Sequence, residues 1–337
     1  MHTVNKIRTT IGILAGIAMI MLIGWGVDCA FADNISLRLG HVHAASHPYN
    51  QTMLHFAESV KEASGGRLDI KVFPGGQLGN EKAIDNGLVF GTIDLTITAP
   101  SFFADSDPVL NIFNLPFLWN SIASYQSILD GDVGDDLAQR ASQHGWLILS
   151  YLYGGSRHVT NNKRPVRTPD DLKDVKLRAP NVPLYLEFIN AMGAKATPLA
   201  FSEIYFALQT GVVDGQENPF SQIYHSKFYE VQKYLSLTNH IITPAAIVIG
   251  TKAYAKLSGE DQKIIKNAAL EARQWHMDLM KAEEEKLLDF LSKNMQVNSD
   301  VDMEAFRKKQ KPVYDKALEK GGADMQKIVD RINNLQK

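Results

Sequence analysis

The chain reads as an α/β protein of two lobes that close on each other like a clamshell. Three observations predict this. Apolar strands alternate with helices over residues 37–151, at the spacing of βαβ units with a mainly parallel sheet. A second series of strands and helices follows over 158–209, after Gly154-Gly155, a crossover between lobes. A long apolar run, 241–250, then reads as a strand returning to the first lobe. With 337 residues, 45% of them hydrophobic and 21% charged, the chain is globular and large enough for two lobes.

The elements follow in order. Residues 37–42 form a strand with Leu37, Leu39 and Val42 as apolar members. His47-Pro48 opens a helix to Ala63, which Gly65-Gly66 terminates. Residues 68–73 alternate as a strand, and Pro74-Gly75-Gly76 turns the chain. A helix from about Glu81 to Val89 leads to a strand at 93–97. Helices over 122–129 and 134–144 precede a strand at 146–151. The second lobe holds strands at 158–160, 174–178 and 195–198 and helices over 182–192 and 202–209.

The C-terminal part is helical. Ser258-Gly259-Glu260-Asp261 caps a helix reaching about Met295, long enough to lie along both lobes, and its acidic first turn suits the helix dipole. Its apolar positions hold no strict heptad, which argues against a coiled coil. Two further helices are expected over 302–318 and 325–335. The expected domains are a signal peptide at 1–32, a first lobe of 33–154 plus about 241–270, a second lobe of 155–240, and the long helix with its C-terminal followers over 258–337.

The N-terminus reads as an export signal: Lys6 and Arg8, an apolar stretch over 11–27, and Ala30-Phe31-Ala32 as a cleavage site. An uncleaved anchor is the alternative, but the apolar run is short for a span. The lone Cys29 follows Asp28 rather than the small residue that lipidation needs. Cleavage after Ala32 leaves no cysteine, so the mature chain folds on its core without disulfides.

Composition and motifs exclude several functions. A net charge of −2 without long single-sign runs gives no nucleic-acid footprint. There is no Gly-x-Ser-x-Gly elbow, no Gly-x-Gly-x-x-Gly opening a helix and no phosphate-binding loop, and the nearness of Ser156, His158 and Asp170 in sequence makes no triad. An enzyme is not expected, and neither is a cofactor. His41, His43 and His47 invite a zinc reading, but no Cys or Asp cluster accompanies them; a hydrogen-bonding or structural role fits better.

The chemistry concentrates in Lys176-Leu177-Arg178-Ala179-Pro180-Asn181, with Phe201-Ser202-Glu203 and Asp214-Gly215-Gln216-Glu217-Asn218-Pro219 after it. A buried strand delivers one arginine and stops at a proline. The guanidinium fork suits a carboxylate and never loses its charge. From the residues alone Arg178 is either a ligand grip or half of a salt bridge with Glu203 or Glu217. Phe201 is either an aromatic wall or core.

These blocks, with Gly75-Gly76-Gln77-Leu78-Gly79, Asn114-Leu115-Pro116-Phe117, Thr168-Pro169-Asp170-Asp171-Leu172-Lys173, Pro198-Leu199-Ala200 and Phe228-Tyr229-Glu230-Val231-Gln232-Lys233, resemble the DctP-like solute-binding proteins of TRAP transporters. The resemblance runs from Asp33 to about Met325. It implies a two-lobed periplasmic binding protein in which Arg178 pairs with a ligand carboxylate, Arg157 and Asn218 add polar contacts, and Phe201 walls the pocket. Asn181, His43 and Glu81 are further candidates, with Ser101, Phe102, Phe103 and Trp119 as a partly aromatic wall. Val42 and Ala99 stand where sialic-acid binders carry polar groups, which argues against sialic acid. The implied ligand is a sugar acid or C4-dicarboxylate, the implied partner an ion-gradient-driven membrane permease, the location the periplasm and the state a monomer. A sensor subunit reporting to a membrane receptor would share the same fold and pocket.

Overall fold

A computed structural model describes residues 34–337, so the signal segment expected at 1–32 and Cys29 lie outside the described residues. The rest is built on two mixed sheets. The first has the order β2-β1-β3-β10-β4, from β1 (Ile35–Gly40), β2 (Leu68–Phe73), β3 (Leu95–Thr98), β4 (Trp146–Ser156) and β10 (Ile242–Gly250). The second has the order β11-β9-β5-β8-β6-β7, from β5 (His158–Asn161), β6 (Lys176–Ala179), β7 (Lys195–Pro198), β8 (Gly215–Asn218), β9 (Tyr234–Ser236) and β11 (Gln296–Asn298).

The expected parallel pairings form between β1 and its two neighbours and between β6 and its two. The expectation of mainly parallel sheets is nevertheless corrected. β10 runs antiparallel to both β3 and β4, and β5 antiparallel to both β8 and β9. Strand direction depends on where the chain re-enters a sheet, which hydrophobic periodicity does not encode. The first strand is also displaced: it pairs with β2 from Ile35 and ends at Gly40, which sends Val42 out of the ladder.

The chain changes sheet at two adjacent points. β4 ends at Ser156 and β5 begins at His158, so Arg157 alone bridges them. The return passes through Ile241, and the crossings are tied together: Arg157 N–H donates to the Ile241 carbonyl at 2.9 Å. Gly154 and Gly155, read as the crossover, lie three and two residues before Arg157, inside β4.

Helices α1 (Pro48–Ala63) and α9 (Gly259–Asn294) cover one face of the first sheet. Met53, Phe56 and Val60 of α1 meet Ile265, Ala268, Ala269 and Ala272 of α9 in one buried cluster. Fully burying each such large side chain contributes about 1.5–3 kcal/mol. The 36 residues of α9 rise about 54 Å. Its far end places Leu291 among Ile204, Leu208, Phe228 and Leu235 of the second sheet's cluster, so this helix lies along both sheets as expected. Ser258 caps it, with Oγ accepting from the Asp261 amide at 3.1 Å, and Asp261 pairs with Arg67 at 2.6 Å.

The intervening helices are α2 (Glu81–Phe90), α3 (Ile122–Leu129), α4 (Asp132–Ser142), α5 (Pro183–Ala191), α6 (Ile204–Gln209), α7 (Phe220–His225) and α8 (Thr251–Tyr254). At the C-terminus α10 (Met303–Lys309) and α11 (Lys311–Leu335) meet at Gln310. The helix expected over 302–318 is broken there because Pro312 prefers a helix's first turn. Gly322, at φ +63° and ψ −156°, interrupts α11 in the expected gap before Met325.

Candidate functional site

The two sheets enclose a cavity of about 100 Å³. Its walls come from the C-terminal ends of β1 and β3, the start of α2, both crossings, and the ends of β6 and β8. Strand ends of α/β sheets collect ligands because backbone and side chains there splay outward from the ladder.

Arg178 is carried by β6, in register with Thr197 of β7. Its neighbour Leu177 faces the core, fully buried. The Arg178 Nε–H donates to the Leu199 carbonyl at 3.0 Å, which anchors the guanidinium of this lining residue while its Nη groups form no hydrogen bond among the described residues. The side chain is only 3% exposed. Among the described residues no carboxylate lies within 4.0 Å of it. Burial pulls its pKa down to about 10, the mark of a desolvated cation without a close counter-charge.

Arg157 is the opposite case. Its Nε–H donates to Glu217 Oε2 at 2.5 Å, and Nη2 donates to Glu217 Oε1 at 2.8 Å and to Asn218 Oδ1 at 3.0 Å. Glu217 is fully buried. Burial alone would raise its carboxyl, but Arg157 and then His240 hold it at about 2. The His240 Nε2–H donates to Glu217 at 2.9 Å, while its Nδ1 accepts from Thr238 at 2.8 Å. Glu217 therefore belongs to Arg157, and Glu203 is spent on the Ala200 amide at 2.8 Å. Neither salt bridge weighed for Arg178 forms.

The remaining candidates divide. His43, Glu81, Phe201 and Asn218 all line the cavity with the two arginines. Phe201 is both wall and packing: its ring meets His43 edge-on at 5.5 Å and joins the cluster around Phe228. Asn181 is corrected. It lies outside the lining and is exposed, because Pro180 turns the chain and puts its side chain on the outer surface. Ser101 and Phe102 line the cavity, but Phe103 and Trp119 do not. Phe103 stacks on Trp146 at 3.9 Å and Trp119 meets Tyr125 edge-on at 5.2 Å, both in the core.

The histidines crowd one wall. His43 stacks on His47 at 4.9 Å and meets Tyr49 edge-on at 4.7 Å. His47 caps α1, its Nδ1 accepting from the Tyr49 amide at 3.0 Å. Burial lowers His41 to about 4 and His43 to about 3, so both are neutral hydrogen-bonding groups near pH 7. Among the described residues no group of three or more His, Cys, Asp or Glu side chains is arranged to hold a metal ion.

Several lining residues escaped the sequence, among them Tyr185, Gln222, Thr243 and, most notably, Asp85. Asp85 is 7% exposed, its Oδ1 has no partner among the described residues, and burial followed by the Glu81 charge pushes its carboxyl well above the usual range. It sits one helical turn after Glu81 on α2, whose N-cap is Asn80, accepting from the Ala83 amide at 3.0 Å. The i,i+4 spacing puts both carboxyls on one face, a signal available beforehand.

The family model for "Bacterial extracellular solute-binding protein, family 7", DctP, matches residues 39–320. The chain belongs to this family. It is 34% identical over 88% of its length to the 2,3-diketo-L-gulonate-binding periplasmic protein YiaO of Escherichia coli, covering 92% of that relative. A TRAP periplasmic solute-binding protein from Sulfitobacter sp. NAS-14.1, solved with β-D-galacturonate, matches with a TM-score of 0.86 and 31% identity, covering 89% of this chain and all of that one. One from Chromohalobacter salexigens with D-glucuronate also gives 0.86, at 30% identity with coverage of 89% and 100%. These neighbours are binding proteins rather than enzymes, and the DctP membership fits the two-sheet fold, the long helix and the cavity between the sheets.

Proposed function

We propose that this protein captures an organic acid of the sugar-acid type in the periplasm and delivers it to an ion-gradient-driven TRAP permease. The observation that carries this is Arg178: a buried guanidinium in the cavity, with no carboxylate within salt-bridge distance among the described residues. Taking a charge from water costs several kcal/mol unless a partner compensates it. A ligand carboxylate at the free Nη groups is that partner. Attraction at contact grows from about 1 kcal/mol in water to about 4 at an effective dielectric of 20. The uronates bound by the structural neighbours carry one such carboxylate.

The two sheets are the cores of two lobes in this account, residues 155–240 together with β11 forming the second. The adjacent crossings at Arg157 and Ile241 serve as the hinge. A ligand touching Arg178 on one side and the α2 and histidine walls on the other favours the closed form by its differential affinity for it. The mature chain, beginning at Asp33, works as a monomer, which light scattering checks.

The test is a thermal-shift screen of residues 33–337, freed of carried-over ligand by unfolding and refolding, against uronates, aldonates, C4-dicarboxylates and keto acids. A ligand that binds only the native state raises the melting temperature by mass action. The proposal expects a shift with at least one acid, abolished in Arg178→Ala. A shift that survives Arg178→Ala, or none with any acid, overturns it.

A further inference from the structure

The charges lining the cavity are few. No lysine is among them. Arg157 is neutralised by Glu217, and buried His41 and His43 are neutral near pH 7. Arg178 remains as the cation without a salt-bridge partner among the described residues, offset only in part by the more distant charges of Glu81, which lines the same cavity, and Glu217. One ligand carboxylate is therefore matched. A second would have no counter-charge and would face Glu81 in a site with little water, where an uncompensated charge is costly.

The lining also holds six buried polar atoms with no hydrogen-bond partner among the described residues. They are His41 Nδ1, His43 Nδ1, Tyr49 Oη, Asp85 Oδ1, Asn114 Nδ2 and Thr243 Oγ1. Buried polar groups are nearly always paired, and each orphan is costly. They come from β1's end, α1, α2, the segment before Leu115, and β10, so they line the first sheet's side of the space, away from the second-sheet strand that carries Arg178. Hydroxyl groups suit such a mixed set, because each can both donate and accept. The methylene chain of a C4-dicarboxylate satisfies none of them.

We infer that this cavity selects a polyhydroxylated monocarboxylate and rejects dicarboxylates, with the buried Asp85 carboxyl as a specificity residue that hydrogen-bonds a ligand hydroxyl. This deepens the proposed function and rests on its Arg178 contact. The geometry assigns the polarity of the site: carboxylate at Arg178, hydroxyls along the α2 and histidine walls.

The test is calorimetry with pairs that differ in one terminal group, galactonate against galactarate and glucuronate against glucarate, with succinate as the chain lacking hydroxyls. At least one monocarboxylate is expected to bind about a hundredfold more tightly than its paired dicarboxylate and than succinate. Glu81→Gln should recover about tenfold for the dicarboxylate, because a repelling charge is removed. Asp85→Leu should weaken the hydroxy acid about tenfold without lowering the melting temperature, which separates lost recognition from lost folding. A dicarboxylate that binds as tightly as its partner, with binding lost in Arg178→Ala, overturns this inference and spares the carboxylate grip. Binding that persists in Arg178→Ala, or no binding by any of the five acids, counts against both.

Discussion

Arg157 and Glu217 are locked together in the cavity wall, with Nε–H on Oε2 at 2.5 Å and Nη2 on Oε1 at 2.8 Å. Glu217 lies on β8, which pairs with β6, the strand that carries Arg178. Because Glu217 is committed to Arg157 and His240, it is unavailable to the second arginine. Two arginines that look equivalent in the sequence thus have different work: one is structural and already compensated, the other awaits an anion.

That division predicts opposite stability effects. Arg178→Met in the ligand-free protein should raise the melting temperature, since it removes a buried charge that lacks a partner. The same variant should lose about 3 kcal/mol of ligand affinity, roughly 100-fold, the worth of a charge-assisted forked contact. A differential scan and a titration on one preparation check both.

Glu217→Gln should act the other way. It strands the Arg157 cation in a fully buried site, which costs about 3–5 kcal/mol. Replacing both, with Arg157→Met and Glu217→Gln, should return much of that loss. Denaturant melts of the two single variants and the double variant give the coupling directly.

Gly154 tests the crossing. A Cβ there would meet Tyr49 Oη at 2.0 Å and Thr243 Cγ2 at 2.9 Å. The start of α1 and β10 close on the glycine from both sides. Gly154→Ala should therefore destabilise by about 1–3 kcal/mol, as overpacking does, seen as a lower denaturation midpoint with an unchanged slope.

Acid should destabilise the protein. Burial holds His41 and His276 at about 4 and His43 and His158 at about 3, against an ordinary 6.5. Between pH 6.5 and 4 the unfolded chain binds more protons than the folded one. Stability is thus full above 6.5 and falls as pH drops, by up to about 1.4 kcal/mol for each unit of depression. Asp85 works against this: burial raises its carboxyl, so the fold holds that proton above the unfolded value and its contribution grows on acidification. Melts from pH 7.5 to 5 should decline, more steeply in Asp85→Asn. A flat profile contradicts this account.

The legible parts of the site were those written locally. Arg178, Phe201 and Asn218 sit in short strand-to-helix turns whose residue order marks them, and these turns reach the cavity lining. Glu81 and Asp85 show the limit. An acidic residue near a helix start usually reads as a solvated, dipole-favoured group, and only tertiary packing buries Asp85. Asn181 failed for the converse reason: adjacency in sequence did not fix the side of the turn it occupies. The antiparallel entries of β5 and β10 and the Arg157–Glu217 pairing join residues more than 50 positions apart, and no local pattern carries such choices.

The most direct test of the central claim is a crystal structure with the tightest-binding acid from the screen. The account predicts both carboxylate oxygens within about 3.2 Å of the Arg178 Nη atoms, with the Arg157–Glu217 pair intact. A carboxylate seated on Arg157 or among the histidines, with Arg178 left free, would contradict it.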